Sequence, residues 1–145
     1  MKQRMNMQQV LPDVYKKMLE LEMTIASTGL NPTTLELIKI RASQINGCAF
    51  CLNMHTQDAR KQGESEARIH VLPAWREAPF YSEEERAVLA LTEAVTRLDG
   101  HGVPDEIYEQ ALRYYGQEGT AALIMALVAI NGWNRIAIST RLMPS

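Results

Sequence analysis

Cys48, Cys51 and His55 stand within eight residues of one another in a chain that has two cysteines and three histidines in all. A cysteine attacks a peroxide or a disulfide as its thiolate. A free thiol titrates near pH ~8.5, so little thiolate exists at neutral pH unless the surroundings favour it. Three devices at this spacing would do so. A helix beginning at Cys48 turns its unsatisfied amides and its dipole toward a first-turn anion. His55 follows Cys51 by one helical turn and can take its proton. Each thiol can also hydrogen-bond the thiolate of the other. The pair is also placed to join. Side chains three apart on a helix have Cβ atoms about 5–6 Å apart, and a disulfide needs about 3.8 Å. Cys48 at a frayed helix start can close that gap, and a pair joined with modest strain can be reopened.

Other readings of the same residues are a zinc site and a pair of buried, inert cysteines. Cys48, Cys51 and His55 offer three zinc ligands, with no sequence-local fourth. With no export signal in the polar stretch 1–10, a reducing cytoplasmic setting is expected, and there a close pair is catalytic or metal-binding more often than a structural staple.

The elements that must position this stretch are helical. Asn31-Pro32 reads as a helix start, followed by the stripe Leu35, Ile38, Ala42 and Ile45, and Asn46-Gly47 breaks it. A second helix opens at Cys48 and stops at Gly63. If these two fold back as a hairpin, Glu36 comes nearer to His55 or Ala59 than to the cysteines. A carboxylate there would orient the imidazole and raise its basicity.

Around the hairpin, Val14, Met18, Leu21 and Ile25 make an amphipathic helix after Pro12, with Gly29 beyond its end. Ser65 starts a short helix to Val71. Trp75–Tyr81 connects, and Ser82 with Glu85 forms a capping box ahead of Val88, Leu91, Val95 and Leu98. A helix from Val103-Pro104 closes at Gly116. Another, from Gly119 to about Ile138, is apolar nearly all round until Asn131 and should be central or lie in an interface. No stretch alternates with period two. The fold class expected is all-α: a compact bundle of six or seven helices, with a flexible N-terminal arm at 1–10 and a single domain at 11–145.

The balance of 15 basic and 17 acidic residues, with no basic run, argues against nucleic acid. The longest apolar run, Ala121–Ile130, is ten residues, short of the roughly 20 that a membrane span needs. No cofactor and no metal are expected. His70 and His101 read as structural or exposed, and the methionines as packing.

Taken together, Glu36, Cys48, Cys51 and His55 resemble the signature of the alkylhydroperoxidase AhpD-like group within the carboxymuconolactone decarboxylase superfamily. The likeness extends through Ile40–Cys51, His55–Arg60, Trp75–Phe80 and Asn131–Arg135, and covers most of the chain from about Leu35. It implies an all-helical fold, self-association into a dimer, trimer or hexamer, and thiol peroxidase activity on a peroxide substrate. It further implies that Cys51 attacks, Cys48 resolves, His55 and Glu36 relay the proton, and a dithiol or lipoyl-type reductant restores the pair. The best-studied pattern often has a histidine just before the second cysteine, where this chain has Phe50. The alternatives carried forward are a disulfide oxidoreductase or redox sensor acting on protein partners, and lactone decarboxylation on the same scaffold.

Overall fold

The computed structural model describes residues 2–144; Met1 and Ser145, the outermost positions of the expected arm and domain, lie outside the described residues. The architecture is all-α: α1 Met7–Val10, α2 Pro12–Ala26, α3 Pro32–Asn46, α4 Ala49–Lys61, α5 Glu66–Val71, a single 3₁₀ turn Leu72–Ala74, α6 Glu83–Thr96 and α7 Asp105–Thr140. The expected helix starts are in place. Asn31 accepts from the Thr33 amide, Ser65 from Arg68, and Ser82 and Glu85 form the reciprocal capping box.

The centre of the bundle is α3. Every residue from Thr34 to Ser43 is buried, the charged Glu36, Lys39 and Arg41 among them. Its apolar side chains serve two clusters. Leu35, Ile38 and Ala42 pack with Val88, Leu91, Leu123, Leu127 and Ile130. Leu37 and Ile40 pack with Ala59, Leu72, Trp75, Tyr81 and Leu89. Burying each such Leu or Ile contributes about 1.5–3 kcal/mol. The charged side chains are tolerated because each has an ionic partner. Lys39 bonds Glu22, and Arg41 bonds Glu93 through Nε at 2.9 Å.

Glu93 fastens this centre to the connector before α6. It also accepts from Trp75 Nε1 at 2.9 Å and from Arg76 at 2.6 Å, with Arg76 stacked over the Trp75 ring. Burial alone would push the Glu93 carboxyl up. Donation from Trp75, Arg76 and Arg41 reverses that and holds it below the usual carboxylate range.

The α2 stripe runs from the surface into the core: Val14 is 55 % exposed, Met18 and Leu21 are half-buried, and Ile25 is buried. The two expected C-terminal helices are both present, running on as α7 with a kink between them at Gly116 (φ 64°, ψ −177°), a positive-φ conformation that glycine adopts without a Cβ penalty. By length and composition α7 is long and apolar enough to cross a membrane. Leu123, Leu127 and Ile130 nevertheless spend one face of it on the core, while Met125 and Val128 remain exposed.

Candidate active site

The hairpin α3–α4 is built around Gly47, whose φ of 71° ends α3 and turns the chain. Cys48 follows as the N-cap of α4, and its sulfur accepts from the Cys51 amide at 3.3 Å. Its own amide returns to the Ser43 carbonyl at 3.0 Å. Asn46 locks the turn to α7. Its side-chain amide donates to Asn131 Oδ1 at 2.9 Å and Asn134 Oδ1 at 2.8 Å, and the fully buried Asn134 donates to Ser43 Oγ at 2.9 Å. Thus the polar interruption Asn131–Arg135 of the apolar helix holds the cysteine turn in register. Gly132 in the same stretch leaves room for Met18 of α2, whose Cε would lie 3.2 Å from an added Cβ.

Cys48 and Cys51 are joined as a disulfide, with Cα atoms 5.4 Å apart. They are 1 % and 2 % exposed and pack on Ala137 of α7, with Phe50 and Leu142 beside them. Phe50 therefore supplies apolar cover where a polar neighbour would otherwise stand.

His55 and Glu36 are brought together directly. Nδ1 of His55 lies 2.8 Å from Oε2 of Glu36, and both side chains are buried. A carboxylate only accepts, so the proton of a neutral His55 sits on Nδ1 and Nε2 is left as the acceptor. The hairpin register responsible is the one the spacing implies, and no water is needed to bridge the pair. Lys39, one turn after Glu36, holds its ammonium 3.8 Å from Oε1 and bonds Glu22 across the gap to α2.

These groups open on a cavity of about 520 Å³. Cys51 and His55 line it; Cys48 does not. Its walls come from residues 3–8, α2, α3, α4 and the end of α7. They are mainly apolar, with Tyr15 and Trp133 meeting edge to face at 5.2 Å between ring centres. Sequence reasoning missed Lys39, Glu22 and Asp58 here. Two of them were within reach of it: Lys39 follows Glu36 by three residues and Asp58 follows His55 by three, so each shares a face with a residue already singled out.

Among the described residues, Glu36, His55 and Asp58 could converge on a cation, their ligand atoms lying within 4.8 Å of one another. The fit is poor. Glu36 already accepts from His55, and the Lys39 ammonium supplies positive charge at its other oxygen. The zinc set of Cys48, Cys51 and His55 does not assemble either, because both sulfurs are committed to each other.

An all-helical bundle carrying a buried CxxC disulfide, with a histidine–carboxylate pair one turn on, defines a class of thiol-bearing helical proteins. The chain belongs to the carboxymuconolactone decarboxylase family, whose profile matches residues 12–94. It is 47 % identical over 139 residues to the uncharacterized protein YdfG of Bacillus subtilis (strain 168), covering 96 % of this chain and 95 % of that protein. An Agrobacterium tumefaciens protein of unknown function, provisionally assigned as the antioxidant defence protein AhpD, superposes with a TM-score of 0.95 at 40 % identity, over 99 % of both chains. The debrominase Bmp8 shares the fold alone, with a TM-score of 0.82 at 20 % identity, over 92 % of this chain and 72 % of that one. The expected AhpD-like fold and superfamily are thereby established.

Proposed function

We propose that the protein is a thiol-dependent peroxidase of the AhpD-like type. The observation that carries this reading is the shared cavity. Cys51 and His55 line it, Glu36 orients His55 from behind, and Cys48 is bonded to Cys51 from outside the lining. In the reduced state His55 Nε2 takes the Cys51 proton. The Cys51 thiolate then attacks the terminal oxygen of a hydroperoxide, the O–O bond breaks, and the proton returns through His55 to the leaving alkoxide as an alcohol. Cys51 is left as the sulfenic acid. The Cys48 thiol condenses with it, releasing water and forming the disulfide. An external dithiol reduces that bond by exchange and leaves as its own disulfide.

The burial of both sulfurs bears on the reductant. A slender dithiol, free or on a flexible lipoyl-type arm, can enter through the cavity, whereas the surface of a folded protein cannot reach Cys51. That disfavours direct exchange with protein partners. Self-association into a dimer, trimer or hexamer would cover the exposed apolar residues of α2 and α7, among them Val14, Met23, Met125 and Val128.

The test is peroxide consumption in the presence of dihydrolipoamide or dithiothreitol. Wild type should turn over and Cys51→Ser should not. Equal inactivity of the two across several peroxides and reductants would remove the proposal. Native mass measured before and after dilute peroxide should show a loss of two hydrogens, restored by thiol, and gives the assembly size in the same run.

A further inference from the structure

The cavity has two kinds of wall. Cys51, His55, Glu36 and Lys39 lie inside the part of the chain that matches the family, residues 12–94. Residues 3–8 and the lining from Trp133 onward lie outside it. The N-terminal part is the less deeply held of these. Gln3, Met5, Asn6 and Gln8 are exposed, and Met7 is the half-buried one. The segment is attached at Arg4, whose amide donates to the Thr140 carbonyl at 2.8 Å and whose guanidinium donates to Ser139 O at 3.2 Å. Those carbonyls belong to the last turn of α7, where no intrahelical donor remains, and a cation there also complements the helix dipole. At its other end the segment passes through α1, capped by Asn6, directly into α2.

We propose that residues 3–8 form a specificity wall for the Cys51 cavity. Arg4 holds the wall in place, and Met5 and Met7 set the size of the group that reaches Cys51. The proposal rests on Cys51 being the reacting thiol of the reading above. Both methionines line the cavity, and their unbranched thioether side chains adapt to an apolar guest. The cavity is of ordinary ligand size at about 520 Å³, so removing three heavy atoms from either side chain changes what fits. The rest of the lining charge is settled within the matched region, where Lys39 answers Glu22 and Glu36 and Lys61 answers Asp58 at 2.8 Å. The wall therefore selects by bulk rather than by charge.

The experiment measures access without requiring turnover. In the full-length protein carrying Cys48→Ser, Cys51 is the sole thiol, and its alkylation rate is read with iodoacetamide and with a bulky N-aryl maleimide. Met5→Ala/Met7→Ala should raise the maleimide-to-iodoacetamide rate ratio about tenfold, the scale of a methylene-sized change in an apolar pocket. Arg4→Ala, which leaves the cavity-lining side chains intact, should raise the same ratio by releasing the attachment. An unchanged ratio in both variants overturns the wall. Turnover of cumene hydroperoxide against hydrogen peroxide, measured with both cysteines present, separates the two proposals. A shifted alkylation ratio with no turnover of any peroxide leaves the wall standing and removes the peroxidase. Turnover with an unshifted ratio does the reverse.

Discussion

Glu36 and Glu93 are equally buried, each 8 % exposed, and each is met by cationic or polar hydrogen-bond donors. They differ in what those partners can do. Glu93 is surrounded by Arg41, Arg76 and the Trp75 indole, none of which gives up a proton near neutral pH. Glu36 faces His55, whose ring nitrogens can each donate or accept, and it borders a cavity. A buried carboxylate among permanent donors ties helices together. One bonded to an imidazole at a cavity wall can take part in moving protons. Burial does not distinguish the two cases; the identity of the partner and the adjacent open space do.

That contrast can be attacked experimentally. The largest effect is expected from Glu93→Ala, which leaves the buried Arg41 without its carboxylate. Stability should fall by about 3 kcal/mol, read from denaturant midpoints at unchanged m. Glu36→Gln should do the opposite. The proposed peroxidase activity should lose about 10²-fold in kcat/KM, while unfolding free energy should change by less than about 1 kcal/mol. If Glu36→Gln costs as much stability as Glu93→Ala, the division between tying and proton-handling carboxylates is lost.

Acid provides the next test. Although burial pushes it up, donation from Trp75, Arg76 and Arg41 holds the folded Glu93 carboxyl below its ordinary value, so its contribution to stability is fully present above the ordinary, unfolded carboxylate value. It is lost as pH falls from there through the lower, folded value. Wild type should therefore lose stability steeply on that acid limb, and Glu93→Gln should show a shallower slope in pH-dependent denaturation. The smallest effect belongs to Arg76→Ala. With 57 % of its side chain exposed, Arg76 should contribute less than about 1 kcal/mol despite its 2.6 Å contact with Glu93.

The sequence disclosed the helices and their caps well because capping is local: Asn31, Ser65, Ser82 and Gly47 act within a few residues of themselves. It also disclosed the Glu36–His55 approach, since a hairpin turn at Gly47 fixes which residues face across it. The centrality of α3 was hidden. Glu36, Lys39 and Arg41 make it look like a surface helix, and only their distant partners on α2, α4 and α6 show how a helix with three charges can be enclosed. Glu93 was missed for a related reason. It lies one turn beyond the buried Leu89, on a second inner face beside the stripe Val88–Leu91 that the periodicity picked out. The cavity could not be read either, because it is shared among segments more than a hundred residues apart.

That separation has a consequence during synthesis. Both cysteines and the whole of α4 exist once residue 61 is made, but Ala137, which covers them, is added last among their packing partners save Leu142. At about 5–20 residues per second the interval is roughly 4–15 s. Through that interval the nascent chain carries the two thiols without the α7 side chain that covers them in the folded protein.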